Sequence, residues 1–177
     1  QGTSLTLQTT LKAPLPDQAL VALQGQISAQ GFAAPVLTDA DLATPIKEPT
    51  QVTVLAQTVL GTSAWTVNDL NGGPVEPGDV LLLTLTVRNT GNSLAQLLPV
   101  QAILPKDVLA AVQPLSGGVL GQDVVDWTIP VLSTSPDGDV QLQVQVTLGL
   151  NLVNGTIVQV AAQLPGVAPP PVATVTV

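Results

Sequence analysis

The chain is 177 residues long, 45% hydrophobic but only 9% charged, with a formal net charge of −8. Its four basic residues, Lys12, Lys47, Arg88 and Lys106, are scattered, so no phosphate-binding patch forms and no nucleic acid partner is expected. Without His or Cys, and without a Gly-x-Ser-x-Gly elbow, the familiar nucleophilic chemistries lack their parts, so an enzyme is not expected.

Ser4 to Leu11 alternates Leu5, Leu7, Thr9 and Leu11 against Thr6, Gln8 and Thr10, which predicts a strand ended by Pro14 and Pro16. A second strand places Val21, Leu23, Ile27 and Ala29 on one face, with Gly25 as a bulge and Gly31 as its end. Thr38 to Ala43 reads as a short helical turn capped by Thr38 or Asp39 and stopped before Pro45. Strands follow over 51–60 and 64–67. The turn-forming run Asn68 to Pro74 then divides an N-terminal β region, 16–73, from a C-terminal module, 74–177. Residues 1–15 form a separate N-terminal β extension.

Beyond that loop, Leu81, Leu83, Leu85 and Val87 alternate with Leu82, Thr84, Thr86 and Arg88. Leu98, Val100, Ala102 and Leu104 share the face of the next strand. Val125, Trp127, Ile129 and Val131 share that of a third, with Trp127 as a large plug in an aliphatic core. The plainest alternation is Val140, Leu142, Val144, Val146 and Leu148 against Gln141, Gln143, Gln145 and Thr147. Asn154-Gly155 predicts a hairpin turn joining residues 150–153 to residues 156–160, and a Pro-rich connector from Pro165 to Pro171 leads to a last strand at 172–177. Short strands separated by Gly, Pro and Asn turns predict an all-β fold, an antiparallel immunoglobulin-like β-sandwich.

Glu76-Pro-Gly-Asp-Val80, Leu85-Thr-Val-Arg-Asn-Thr-Gly-Asn92, Ile103-Leu-Pro105, Asp126-Trp-Thr128, Asn154-Gly-Thr156 and Val160-Ala-Ala162 together resemble a conserved repeat domain of unknown function in secreted and cell-surface proteins of bacteria and archaea. The resemblance spans roughly residues 74–177. It implies an immunoglobulin-like sandwich with an extracellular structural or adhesive role, and it supplies no catalytic residues. Leu83 and Val160-Ala-Ala162 depart from the family's usual aromatic and Asn.

Acidic residues pair at Asp39 and Asp41, Glu76 and Asp79, Asp123 and Asp126, and Asp137 and Asp139. Carboxylates on loops suit calcium, and Asp137 with Asp139 is the candidate site, although Pro136-Asp-Gly-Asp139 also fits a turn that needs no metal. Asn154-Gly-Thr156 is a glycosylation sequon as well as a turn. Lys12, Lys47 and Lys106 are the lysines available for an isopeptide cross-link. Trp65, Trp127 and Phe32 are the only aromatics on which a cell-surface glycan could stack.

No run of about 18 apolar residues spans a bilayer, and a chain beginning at Gln1 reads as a mature secreted product, so an extracellular or cell-surface location is expected. A β-protein with so few charges has little to guard its sheet edges, so copies of the chain are expected to cover one another. Leu5, Leu7 and Leu11 are the candidate plugs of a donor strand that fills a groove in the next subunit, building a homopolymeric filament for adhesion, biofilm or cell connection. The alternative is a carbohydrate- or calcium-binding adhesion module of a cell-surface or S-layer protein.

Overall fold

The computed structural model describes residues 4–12, 15–31 and 33–177; Pro14 of the expected spacer and Phe32 of the candidate aromatics lie outside the described residues. The chain divides into two compact units, Gln1–Ala56 and Gln57–Val177. Both are built from antiparallel strands, and no α-helix occurs among the described residues.

The first unit holds β1 (Leu20–Leu23), β2 (Gln26–Ile27), β3 (Val36–Leu37) and β4 (Thr50–Thr53), arranged as two ribbons, β1–β4 and β2–β3. The single strand expected over Val21 to Ala29 is therefore two. Gly25 separates them: its carbonyl accepts from Thr38 N–H at 2.8 Å, and the Thr38 hydroxyl accepts from the Gly25 N–H at 2.7 Å. Nor does Thr38 to Ala43 form a helical turn. The Asp39 and Asp41 carboxylates accept the N–H groups of Asp41 and Ala43, closing side-chain turns that compete with a helix. The strand expected over 51–60 stops at Thr53, since only β1 is there to pair with it.

In the second unit β5 (Ala64–Asp69), β6 (Val80–Val87), β7 (Ala95–Ile103), β8 (Leu109–Pro114), β9 (Val119–Leu120), β10 (Val124–Leu132), β11 (Val140–Leu148), β12 (Ile157–Gln163) and β13 (Val172–Thr176) form two sheets. One has the order β5-β6-β11-β8 and the other β13-β12-β7-β10-β9. The inward rows of both meet in a single core, so the unit is a β-sandwich. Leu81, Leu83, Leu85 and Val87 of β6 lie against the sheet of β7, β10 and β12, and Leu142, Val144, Val146 and Leu148 of β11 are buried with them. Period-2 alternation in these central strands is the direct cause, because a strand covered on one face buries one residue in two.

Three expectations change here. Asn154-Gly155 does turn the chain, with Gly155 at φ +89°, but residues 150–153 form no strand and β12 pairs instead with β13 and β7. Val131 is exposed and Leu132 buried, because β7–β10 pairing lapses where Pro130 offers no N–H and Leu97 takes φ +49°. The Asn68 to Pro74 loop connects β5 to β6 within one sheet.

Candidate assembly edges

The Arg88-Asn-Thr-Gly-Asn-Ser93 segment fastens the chain as it enters the sandwich. Asn89 is fully buried; its Oδ1 accepts from the N–H groups of Val59 and Gly91, both at 3.1 Å, and its Nδ2 donates to the Ser93 carbonyl at 2.6 Å. Its own carbonyl accepts from Ser135 N–H at 2.7 Å, while Asn92 Oδ1 accepts from Gln57 N–H at 2.7 Å. Three chain segments are thereby held by one carboxamide and its neighbours. A buried amide is stable here because each of its polar atoms has a partner.

The candidate calcium residues join the same end of the sandwich. Arg88 Nε donates to Asp139 Oδ2 at 2.9 Å, and the Ser135 hydroxyl donates to Asp139 Oδ1. The Ser135 bond first, and Arg88 second, hold the Asp139 carboxyl below the usual carboxylate range against partial desolvation. Asp137 is exposed on the turn. The other acidic pairs have structural partners of the same kind: Asp79 Oδ2 accepts from Glu76 N–H, Asp126 Oδ1 from Gln101, and Asp123 pairs with Lys106 at 2.9 Å. Among the described residues no three metal-ligating side chains cluster.

Lys47 pairs with Asp39 at 2.8 Å, so it and Lys106 are both half-exposed in ion pairs. The Lys47 bond chiefly holds the Asp39 carboxyl low, just as the Ala56 N–H does for Asp17. Trp127 is 4% exposed and donates through Nε1 to the Leu115 carbonyl at 2.9 Å, filling the core as its alternation predicts. Asn154 is exposed on its turn, with the Thr156 hydroxyl donating to Val153.

Leu5 is 94% exposed, Leu7 77% and Leu11 47%. Ser4 to Lys12 pairs with no described strand, so the alternation predicted there has no sheet to belong to. An isolated strand gains no ladder bonds and buries nothing.

Both lateral margins of the sandwich are less covered than its middle. On one side β5 and β13 end their sheets; on the other β8 and β9 do. Val67, on the inward row of β5 between Trp65 and Asp69, is 37% exposed, whereas all four inward residues of neighbouring β6 are buried. Trp65 packs on the core, yet its Nε1 and the Asp69 Oδ2 are buried without a hydrogen-bond partner among the described residues. Sequence reasoning found the strand at 64–67 but passed over Asp69, although it continues the inward row of Trp65 and Val67. Across the molecule Val119 and Leu120 of the two-residue β9 are also exposed, beside a depression of about 260 Å³ lined by Leu104, Leu109 and Val112.

On the outer face of the four-stranded sheet, Thr66, Thr84 and Gln143 stand side by side, and Gln143 donates to the Thr84 hydroxyl at 3.2 Å. Arg88 and Asp139 supply charge only at its end. No described helix is long and apolar enough to cross a membrane.

A scan against protein-family models finds no match to this chain, and a search of curated proteins finds no relative.

Proposed function

We propose that this chain is a secreted, non-enzymatic structural subunit that polymerises with copies of itself into an extracellular filament by donating the strand Ser4–Leu11. Adhesion, biofilm formation or cell connection is the role such a fibre serves. The observation that carries the proposal is the apolar row Leu5, Leu7 and Leu11, exposed and pairing with no described strand of the subunit while its period-2 pattern demands a sheet.

Magnitudes decide how such a strand would hold. Burying three leucines contributes about 1.5–3 kcal/mol each. Association costs about 4–15 kcal/mol in lost translational and rotational freedom. Side-chain burial alone therefore roughly breaks even, and a ladder of main-chain hydrogen bonds at about 0.5–1.5 kcal/mol each tips the balance. Strand addition to a sheet edge supplies both, and a head-to-tail contact of this kind does not close.

The strand order supports the immunoglobulin-type frame within the proposal. With the β9–β10 hairpin set aside, lettering the other seven strands A to G in chain order gives A-B-E-D in one sheet and G-F-C in the other. Those seven strands follow the constant-type order, whereas β10, which pairs with β7 and sends Val125, Trp127 and Ile129 into the core, departs from it. The glycan-binding alternative draws on a shallow cleft of about 540 Å³ bearing Gln101, Asp126, Thr128 and Gln163. Among the described residues it lacks a stacking platform, because Trp127 is buried and Trp65 is packed on the core.

Sedimentation of residues 1–177 beside residues 13–177 tests the proposal. Large assemblies from the full chain and monomers from the shortened one are expected; the same size distribution for both would overturn it.

A further inference from the structure

We propose that the free edge of β5 is the acceptor, and that Ser4–Leu11 of a second copy adds there in parallel with Leu5 beside Trp65, Leu7 beside Val67 and Thr9 beside Asp69. This rests on strand donation as proposed above and names its other half.

The two inward rows match position by position. In the donor the row is Leu5, Leu7, Thr9 and Leu11, with one polar member; in β5 it is Trp65, Val67 and Asp69, also with one. Parallel addition in this register sets apolar residues beside apolar ones and brings the Thr9 hydroxyl to the Asp69 Oδ2, which is buried and has no described partner. Reversing the strand while keeping Thr9 at Asp69 sets Leu11 beside Val67 but brings Ala13 to Trp65 and leaves Leu7 past the end of β5. The half-covered Val67 is then closed over by Leu7, and the added backbone presents carbonyl acceptors near the unpartnered Trp65 indole N–H.

Length excludes β9, and chemistry separates the β5 edge from β8, which is as long. Leu5 to Thr9 extends about 13 Å, which six-residue β5 accommodates and two-residue β9 does not, and Leu11 then lies past Asp69 at the level of Asn71. The β8–β9 margin also leaves no buried polar atom unsatisfied among the described residues.

The chain has no cysteine, so paired cysteines report the contact without background. In the full chain, Leu7→Cys with Val67→Cys is compared with Leu7→Cys with Leu120→Cys under a short bismaleimide cross-linker, which adds to both thiols without an oxidant. Assembly is followed alongside in the Leu5→Ser, Leu7→Ser, Leu11→Ser variant. Intermolecular products at least tenfold more abundant for the Val67 pair are expected. Comparable yields, or an excess for the Leu120 pair, would overturn the β5 assignment and leave strand donation standing. Absence of products from both pairs, with assembly unchanged in the triple serine variant, would overturn donation itself; absence from both with assembly lost would overturn this acceptor edge alone.

Discussion

Gly91 passes the Gln57 carbonyl so closely that no side chain fits between them. A Cβ on Gly91 would overlap that oxygen and stand 2.9 Å from both the Gln57 carbonyl carbon and the Val59 amide nitrogen. Gly91→Ala is therefore expected to destabilise the sandwich by about 2 kcal/mol through overpacking against backbone that cannot swing away. Denaturant unfolding followed by tryptophan fluorescence measures it. An unchanged midpoint would mean the residue 57–59 segment is not held there.

Asn89 secures the same junction by hydrogen bonding rather than by space. Asn89→Ala strands the part-buried N–H groups of Val59 and Gly91 and the Ser93 carbonyl together. At about 1–3 kcal/mol for each unmet group, with partial rescue by water, a loss on the order of 3 kcal/mol is expected. Substituting an exposed amide such as Gln141 serves as the control and should change stability by less than about 0.5 kcal/mol. Equal effects would contradict the clasp.

Asp139 links stability to pH with a definite sign. Its carboxyl titrates below its ordinary value in the folded state because Ser135 and Arg88 favour the charged form. Its contribution is thus complete above the unfolded value, near pH 4, and disappears as pH falls through the folded one. Wild type should exceed Asp139→Asn in stability at pH 7, with the gap closing in acid. A gap that stays constant from pH 7 to pH 2.5 would contradict the bonding described.

Calcium is expected to do little. Both Asp139 oxygens are engaged by Ser135 and Arg88, and among the described residues no three metal-ligating side chains come together there. Thermal unfolding with calcium in excess and with EDTA should coincide within about 1 °C. A rise of several degrees with calcium would show a site that binds the folded state.

The central strands were legible because one uninterrupted rule governs them. In β6 and β11 every inward residue is Leu or Val, so alternation alone locates face and register. Legibility fails where something other than alternation decides. At Val131 and Leu132 a proline and a positive φ across the ladder exchange inside for outside. β8 was missed because Leu109-Ala-Ala-Val-Gln-Pro114 carries apolar residues on both faces of a marginal edge strand. Asn154-Gly155 announces a turn but not which strands it serves, since pairing partners are chosen by distant residues. The N-terminal row is the opposite case: its pattern is plain in Leu5, Leu7 and Leu11, and no described strand of the subunit pairs with it.

Negative-stain electron microscopy of the purified full chain beside its Leu5→Ser, Leu7→Ser, Leu11→Ser variant tests strand donation most directly. Long regular fibres from the natural sequence, persisting in EDTA, and isolated particles from the variant are the predicted result. Isolated particles from both, or fibres that form equally well without the three leucines, would contradict it.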